Sequence, residues 1–399
     1  MKKILAMLLV LAMALSLVAC GGSEKPAETQ AAAPAETQAA APAETEAAAE
    51  YKIAMITDYG DITDQSFNQT TYEACKDFAE ANGIEFTYYK PAGDSDAERV
   101  AMIEKAVDED YNVIVMPGFA FANAIAEAAP MYTDVKFIAL DVAEFDLQSA
   151  GLSAEDMGNV YSAVYQEELS GYMAGYAAVK LGYTKLGFLG GMAVPAVQRF
   201  GYGYVQGADA AAKELGITID MNYIYGGLFY GTADITAVMD TWYNDGTQVV
   251  FACGGGIFTS AVDAAKKVEG TKVIGVDVDQ AGVIANYAGD ADTSLTVTSA
   301  MKGLYPTTVD TLTDVIINGN WDKYAGKVET LGLVSGDDPT ANYVQIPMES
   351  TQWSDTFTQE DYKALVKGMF DGTIVVSADT TAMPAVTNTN LAELGQIVG

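Results

Sequence analysis

Three features of the sequence predict an α/β fold built from two doubly wound parallel sheets. Short apolar runs rich in β-branched and aromatic residues alternate with longer amphipathic stretches through residues 51–282. The alternation comes as two series, over residues 51–156 and 158–282, each long enough for its own sheet. Half of the 399 residues are hydrophobic, and this length favours a bilobed body over one small domain.

The first 50 residues stand apart from that body. Lys2 and Lys3 precede an apolar run from Ile4 to Ala19 that ends at Cys20. This is the charged head and apolar core of a secretory signal, short for a membrane span. Leu17-Val18-Ala19-Cys20-Gly21 resembles a bacterial lipobox, so Cys20 is the expected lipidation site and new N-terminus. Acyl chains there would tether the protein, each buried methylene contributing roughly 0.8 kcal/mol. Residues 21–50 repeat Pro-Ala-Glu-Thr-Gln/Glu-Ala-Ala-Ala from Pro26, Pro34 and Pro42. Almost no large apolar side chain is present to offset the entropy of ordering, so the segment reads as a disordered spacer.

In the body, Lys52–Thr57, Val113–Met116, Lys136–Leu140, Lys185–Leu189, Val249–Cys253 and Lys272–Val276 read as buried strands, followed by Leu295–Thr298. Helical periodicity covers Gln69–Ala81, Ala97–Val107, Ala122–Ala129, Tyr161–Leu181, Tyr202–Leu215, Ala233–Asn244 and Ile257–Val268. Such alternation puts helices on both faces of parallel sheets, and ligands then bind beyond the carboxyl ends of the strands.

Composition removes whole classes of chemistry. The chain has no histidine, which excludes Ser-His-Asp triads, Cys-His dyads and His-ligated zinc. From Tyr51 onward it carries 48 acidic and 18 basic residues, a poor match to a phosphate backbone. Beyond Cys20 only Cys75 and Cys253 remain, too few for a disulfide framework, and spacing does not decide whether they pair.

The strand-following loops hold the informative residues. After the first strand, Asp58 to Gln69 combines carboxylates, Phe67 and Asn68 with either Ser66 or Asn68 as a helix cap. Pro117-Gly118-Phe119 to Asn123 again mixes glycine, aromatics and an amide. Phe229-Tyr230-Gly231 follows a strand pattern, and Gly254-Gly255-Gly256 opens a helix where backbone amides can meet a ligand. Gly201-x-Gly203-x-x-x-Gly207 has no phosphate-loop spacing, and helix packing accounts for it. Asp277-Val278-Asp279 resembles a calcium loop, but its twelfth position is Ala288, so the carboxylate of Asp277 suits ligand hydroxyls better. Lys302 heads a helical run and stands out among so few cations.

Together these residues resemble the basic membrane protein (BMP) lipoproteins, which include the PnrA-like purine nucleoside receptors of ABC importers. The resemblance runs from Tyr51 to about Val376. It rests on Thr57-Asp58 with Asp64-x-Ser66-Phe67-Asn68-Gln69, Gly187-Phe188-Leu189-Gly190-Gly191-Met192, Arg199-Phe200, Val276-Asp277-x-Asp279-Gln280, Thr298-Ser299-x-x-Lys302 and Asp371-Gly372-Thr373-Ile374-Val375-Val376. It implies a type I periplasmic-binding-protein-like fold with a multi-strand hinge. The expected lobes are residues 51–157 with about 283–325, and 158–282 with about 326–399.

The resemblance also implies a ligand site of Asp58, Phe67, Asn68, Gly118, Asn123, Phe229, Gly254, Gly255, Asp277 and Lys302. Phe67 and Phe229 (or Tyr230) would sandwich a purine, with Asp277 and Lys302 on the ribose. Two departures from the family pattern are visible. The loop at Gly227-Leu228-Phe229-Tyr230-Gly231 replaces the usual Gly-Ser-Trp/Phe-x-Asp, and Asn123 replaces the family aspartate.

The expectation is an extracytoplasmic, lipid-anchored solute-binding protein of a bacterial ABC importer, with no enzymatic activity, cofactor or metal. Its partners would be a small ligand, most simply a purine nucleoside, and the permease, but no nucleic-acid polymer. A sugar-type ligand, a sensory role, and an exported glycosidase or nucleoside hydrolase using Asp58, Asp61, Asp64 or Asp277 are the alternatives.

Overall fold

Strands form where β-branched and aromatic residues run together, and the computed structural model, which describes residues 51–398, places them in two sheets. The leader, Cys20 and the spacer lie outside the described residues. The first lobe begins with β1 (Lys52–Ile56), α1 (Phe67–Asn82), β2 (Glu85–Tyr89), α2 (Asp96–Asp108), β3 (Val113–Pro117), α3 (Ala122–Ala128), β4 (Lys136–Leu140), α4 (Glu144–Ser149) and β5 (Val160–Tyr165). The second holds α5 (Glu167–Lys180), β6 (Lys185–Gly190), α6 (Pro195–Leu215), β7 (Ile219–Tyr225), α7 (Ala233–Asn244), β8 (Val249–Cys253), α8 (Phe258–Ala265), β9 (Lys272–Asp277), α9 (Ala281–Ala288) and β10 (Thr296–Lys302). The chain then returns to the first lobe with α10 (Leu304–Leu312) and β11 (Lys327–Leu331). It ends in the second with β12 (Val344–Gln345), α11 (Gln359–Phe370) and β13 (Thr389–Gln396).

The first sheet has the order β11-β5-β4-β3-β1-β2 and is parallel throughout. The second, β12-β10-β9-β8-β6-β7-β13, is parallel except for β12. Central strands such as β3 and β8 are buried along their whole length because helices cover both faces. The chain passes between sheets at Gln166, Gly303 and residues 332–343, and these passages bond to one another. Gln166 N–H donates to the Leu331 carbonyl at 2.9 Å, Gly303 N–H to Tyr343 at 2.7 Å and Tyr343 N–H to Gly332 at 3.0 Å.

Three expectations need correction. Tyr161–Leu181 is not one helix: Val160–Tyr165 is a strand, and the helix starts at Glu167. The alternating run Val-Tyr-Ser-Ala-Val-Tyr fits between β4 and β11, so sheet pairing outweighs the helical continuity suggested by the residues that follow. The lobe boundaries shift with it. Strand β5 and strand β11 join the first sheet, whereas α9 and β10 stay in the second, because each strand completes a ladder with its neighbour. Finally, Lys302 ends strand β10 instead of heading a helix, and α10 begins two residues later.

The glycine series in α6 serves packing. Helices α5 and α6 run parallel and meet through Gly171, Gly175, Gly203 and Gly207. A Cβ at Gly203 would lie 2.1 Å from the Glu168 carbonyl oxygen, and one at Gly207 would lie 2.0 Å from that of Tyr172. Backbone cannot yield as a side chain can. Gly203→Ala should therefore destabilise the protein by about 3 kcal/mol, read as a lowered urea midpoint. An unchanged midpoint would show that the helices separate freely.

Candidate ligand-binding site

In both sheets the strand order reverses at the same place, between β1 and β3 and between β6 and β8. Loops beyond the strand ends diverge at such switch points and leave a crevice. Here the two crevices face each other and enclose a cavity of about 770 Å³. That is ample for a small metabolite. Its walls come from the loops after β1, β2, β3 and β4 on one side and, on the other, from those after β6, β7, β8 and β9 with the end of β10.

The loop after β1 is organised by Asp64. Its carboxylate accepts from the amides of Ser66 (3.0 Å), Asn68 (2.9 Å) and Gln69 (3.0 Å), and from Asn68 Nδ2 (3.2 Å). Asp64 is thus the cap of α1, where Ser66 or Asn68 was expected. Burial still pushes its pKa up against these bonds. The cap sets Phe67 and Asn68 in the first turn, facing the cavity. It also frees the Ser66 hydroxyl, which donates to Asp277 Oδ2 at 2.5 Å.

Asp58 sits at the end of β1 with Oδ1 accepting from the Tyr59 and Gly60 amides at 2.6 and 2.8 Å. Burial nevertheless pushes its pKa up to about 6, with Arg99 opposing the shift. Gly118 lies against it: a Cβ there would come within 2.5 Å of Asp58 Oδ2, and its φ of +128° suits glycine.

A buried charge cluster closes the hinge side. Lys302 Nζ lies 2.5 Å from Asp141 Oδ2, 3.4 Å from Glu167 Oε1 and 3.8 Å from Asp277 Oδ1. Glu167 also accepts from Arg199 Nε at 2.6 Å. Burial works against the lysine charge, but Asp141, Glu167 and Asp277 outweigh it and hold its pKa above the ordinary lysine range. The ammonium also stands 4.7 Å from the centre of the Phe67 ring, a cation–π distance. For Asp277, burial raises the pKa while Lys302 and Ser66 restrain it. Asp141 and Asp277 close equivalent strands of the two lobes, β4 and β9, and both have left-handed backbone, with φ of +64° and +65°.

Phe229 enters from the second lobe over Gly191 and Gly254, where any Cβ would strike its ring. Tyr59 from the first lobe stacks on it, with centroids 6.2 Å apart and planes inclined by 28°. Tyr230 also lines the cavity, but 59% of it is exposed, whereas Phe229 is half-buried and packs against the core of the second lobe.

Nine of the ten expected residues, Asp58, Phe67, Asn68, Gly118, Phe229, Gly254, Gly255, Asp277 and Lys302, line this one cavity. Asn123 does not. It lies exposed on the first turn of α3 and donates from Nδ2 to Asp96 Oδ2 at 2.9 Å. The 3-10 turn Phe119–Phe121 after Gly118 carries it outward. Sequence reasoning missed Tyr59, Asp141 and Glu167. A signal existed for Asp141, which follows a predicted strand just as Asp277 does; Glu167 lay hidden inside the helix misread across β5. Cys75 and Cys253 are both free and buried, in separate lobes.

Two parallel-sheet lobes sharing one cavity at their switch points define a solute-binding protein of the periplasmic type. The family described as ABC transporter substrate-binding protein PnrA-like (Bmp) matches residues 51–366, and the chain belongs to it. It is 28% identical over 300 residues to the ABC transporter nucleoside-binding protein BmpA of Lactococcus lactis, covering 72% of this chain and 80% of that protein. It is 29% identical to basic membrane protein A of Borreliella burgdorferi, covering 58% of this chain and 64% of that one. Among solved structures, an ABC transporter solute-binding protein from Aeropyrum pernix K1 superposes with a TM-score of 0.63 at 20% identity, covering 82% of this chain and 87% of its own. One from Conexibacter woesei gives 0.60 at 21% identity, covering 82% of this chain and 99% of its own. These two show the fold.

Proposed function

We propose that this substrate-binding protein is a lipid-anchored, extracytoplasmic receptor that captures a purine nucleoside between its lobes and hands it to an ABC permease, without bond chemistry. The observation that carries the reading is the pairing of aromatic walls with a hydroxyl-accepting end in one cavity. Phe67 and Phe229 stand on opposite lobes, and Asp277 with Lys302 closes the hinge side. A flat apolar base fits the first feature, and ribose hydroxyls fit the second. The name of the Lactococcus relative supports a nucleoside, and lipidation at Cys20 would supply the anchor. Among the described residues no helix is long and apolar enough to cross a membrane.

The test is a thermal-shift screen of nucleosides, free bases and sugars against the purified body. A ligand at 100 times its Kd adds roughly 2.7 kcal/mol of stability, an easily read shift. Silence from every nucleoside, or a response confined to sugars, would overturn the assignment; released base after incubation would mark an enzyme instead. For the site itself, Phe229→Ala should weaken nucleoside binding by on the order of 1–3 kcal/mol, read by calorimetry. Asp277→Ala should abolish most of the thermal shift.

A further inference from the structure

We propose that Gln280 and Ser66 form a latch across the cleft that holds the two lobes closed and sets how slowly any ligand leaves. The inference rests on the two-lobe binding role and not on the identity of the ligand.

Gln280 follows β9 in the second lobe and is fully buried. Every polar group of its side chain is used: Oε1 accepts from the Val276 amide at 2.9 Å, and Nε2 donates to the Gln65 carbonyl at 3.1 Å. Its own amide donates to Ser299 Oγ at 3.1 Å. Gly275 leaves the room required, since a Cβ there would meet Ser299 Oγ at 2.6 Å and the Gln280 Cβ at 2.8 Å. The glutamine is therefore anchored to its own lobe through one end of its amide and reaches the other lobe with the opposite end.

The receiving side is equally specific. Gln65 belongs to the first-lobe loop capped by Asp64, and it has φ +55°, a left-handed conformation that costs energy for a residue other than glycine. The next residue, Ser66, points its hydroxyl across the cleft to Asp277. Two successive residues of one lobe thus bond to two residues of the other, three positions apart. The contact that involves Gln280 touches no group assigned to ligand recognition. Asp277 is shared between the latch and the ligand, so a ligand hydroxyl on that carboxylate meets a group already tied to the opposite lobe.

Ser66→Ala removes one cross-lobe bond. Gln280→Glu keeps the acceptor for Val276 but turns the donor facing the Gln65 carbonyl into an acceptor. Small-angle scattering of the ligand-free proteins should show a larger radius of gyration for both variants than for the parent. For each of adenosine, guanosine and inosine that binds, stopped-flow dissociation should quicken by about two- to tenfold and by a common factor, leaving preferences unchanged. Gln65→Gly retains the carbonyl and relieves the strained φ, so it should stay as compact as the parent. Unchanged scattering in both Ser66→Ala and Gln280→Glu would overturn the latch. Altered nucleoside preferences with unchanged scattering would also overturn it, and would make these residues part of base recognition. More open variants together with no nucleoside binding would sustain the latch and remove the nucleoside assignment instead.

Discussion

Lys302→Met should lower the folding free energy by on the order of 3–5 kcal/mol, the cost of leaving buried carboxylates without their cation. Lys302 is 4% exposed and serves Asp141, Glu167 and Asp277 together, so methionine replaces its length but none of its charge. Arg199 still faces Glu167 at 2.6 Å, which leaves Asp141 and Asp277 as the stranded groups. The double variant Lys302→Met/Asp141→Asn should recover part of the loss. Asparagine tolerates the left-handed backbone that Asp141 adopts. Chemical denaturation of the four proteins in this cycle gives the coupling directly. Additive losses would mean that the cluster is not electrostatically coupled.

Asp58→Asn should stabilise the ligand-free protein at pH 7.5, and that advantage should vanish toward pH 4. The sign follows from the raised pKa. Asp58 titrates near 3.8 in the unfolded chain and at about 6 in the folded protein. Between these values the folded state binds the proton and the unfolded state does not, so stability falls as pH rises through that window. Above pH 6 the whole penalty of a buried charge is present, about 3 kcal/mol from 1.36 kcal/mol per pH unit. Asparagine retains the oxygen that accepts from the Tyr59 and Gly60 amides but carries no charge. Glu168, pushed up to about 7 by burial, adds a term of the same sign to both proteins and cancels in the difference. Urea unfolding at a series of pH values measures the gap. A gap that stays constant with pH would show that Asp58 is not the titrating group.

How far the site could be read beforehand depended on whether a residue's role was local. Phe67, Gly118, Gly254 and Asp277 each lie at or beyond the carboxyl end of a strand, so one-dimensional pattern was enough to mark them. Glycine at 118 and 254 is demanded by positive φ and close packing, constraints that show in sequence as glycine itself. Asn123 was misplaced because a single 3-10 turn rotates it away from the cavity, and such a turn leaves no periodic trace. Ser66 looked like a cap by residue type. Asp64 took that role because its carboxylate reaches the Ser66 amide and two amides of the first turn, those of Asn68 and Gln69, a matter of geometry alone.

The sequence by itself determined the α/β class, the two sheets, most strand positions and the strand-end loops that carry the ligand groups. Those features arise from interactions between near neighbours along the chain: periodic burial, turn chemistry and helix signals. Only the tertiary structure decided which lobe owns β5, β10 and β11, how three passages form the hinge, and which charges surround Lys302. It alone joined Gln280 to Gln65 and Ser66 to Asp277, positions more than 200 residues apart. Such pairings are set by sheet order and lobe closure, and an amide or hydroxyl carries no mark in the sequence of the partner it will meet.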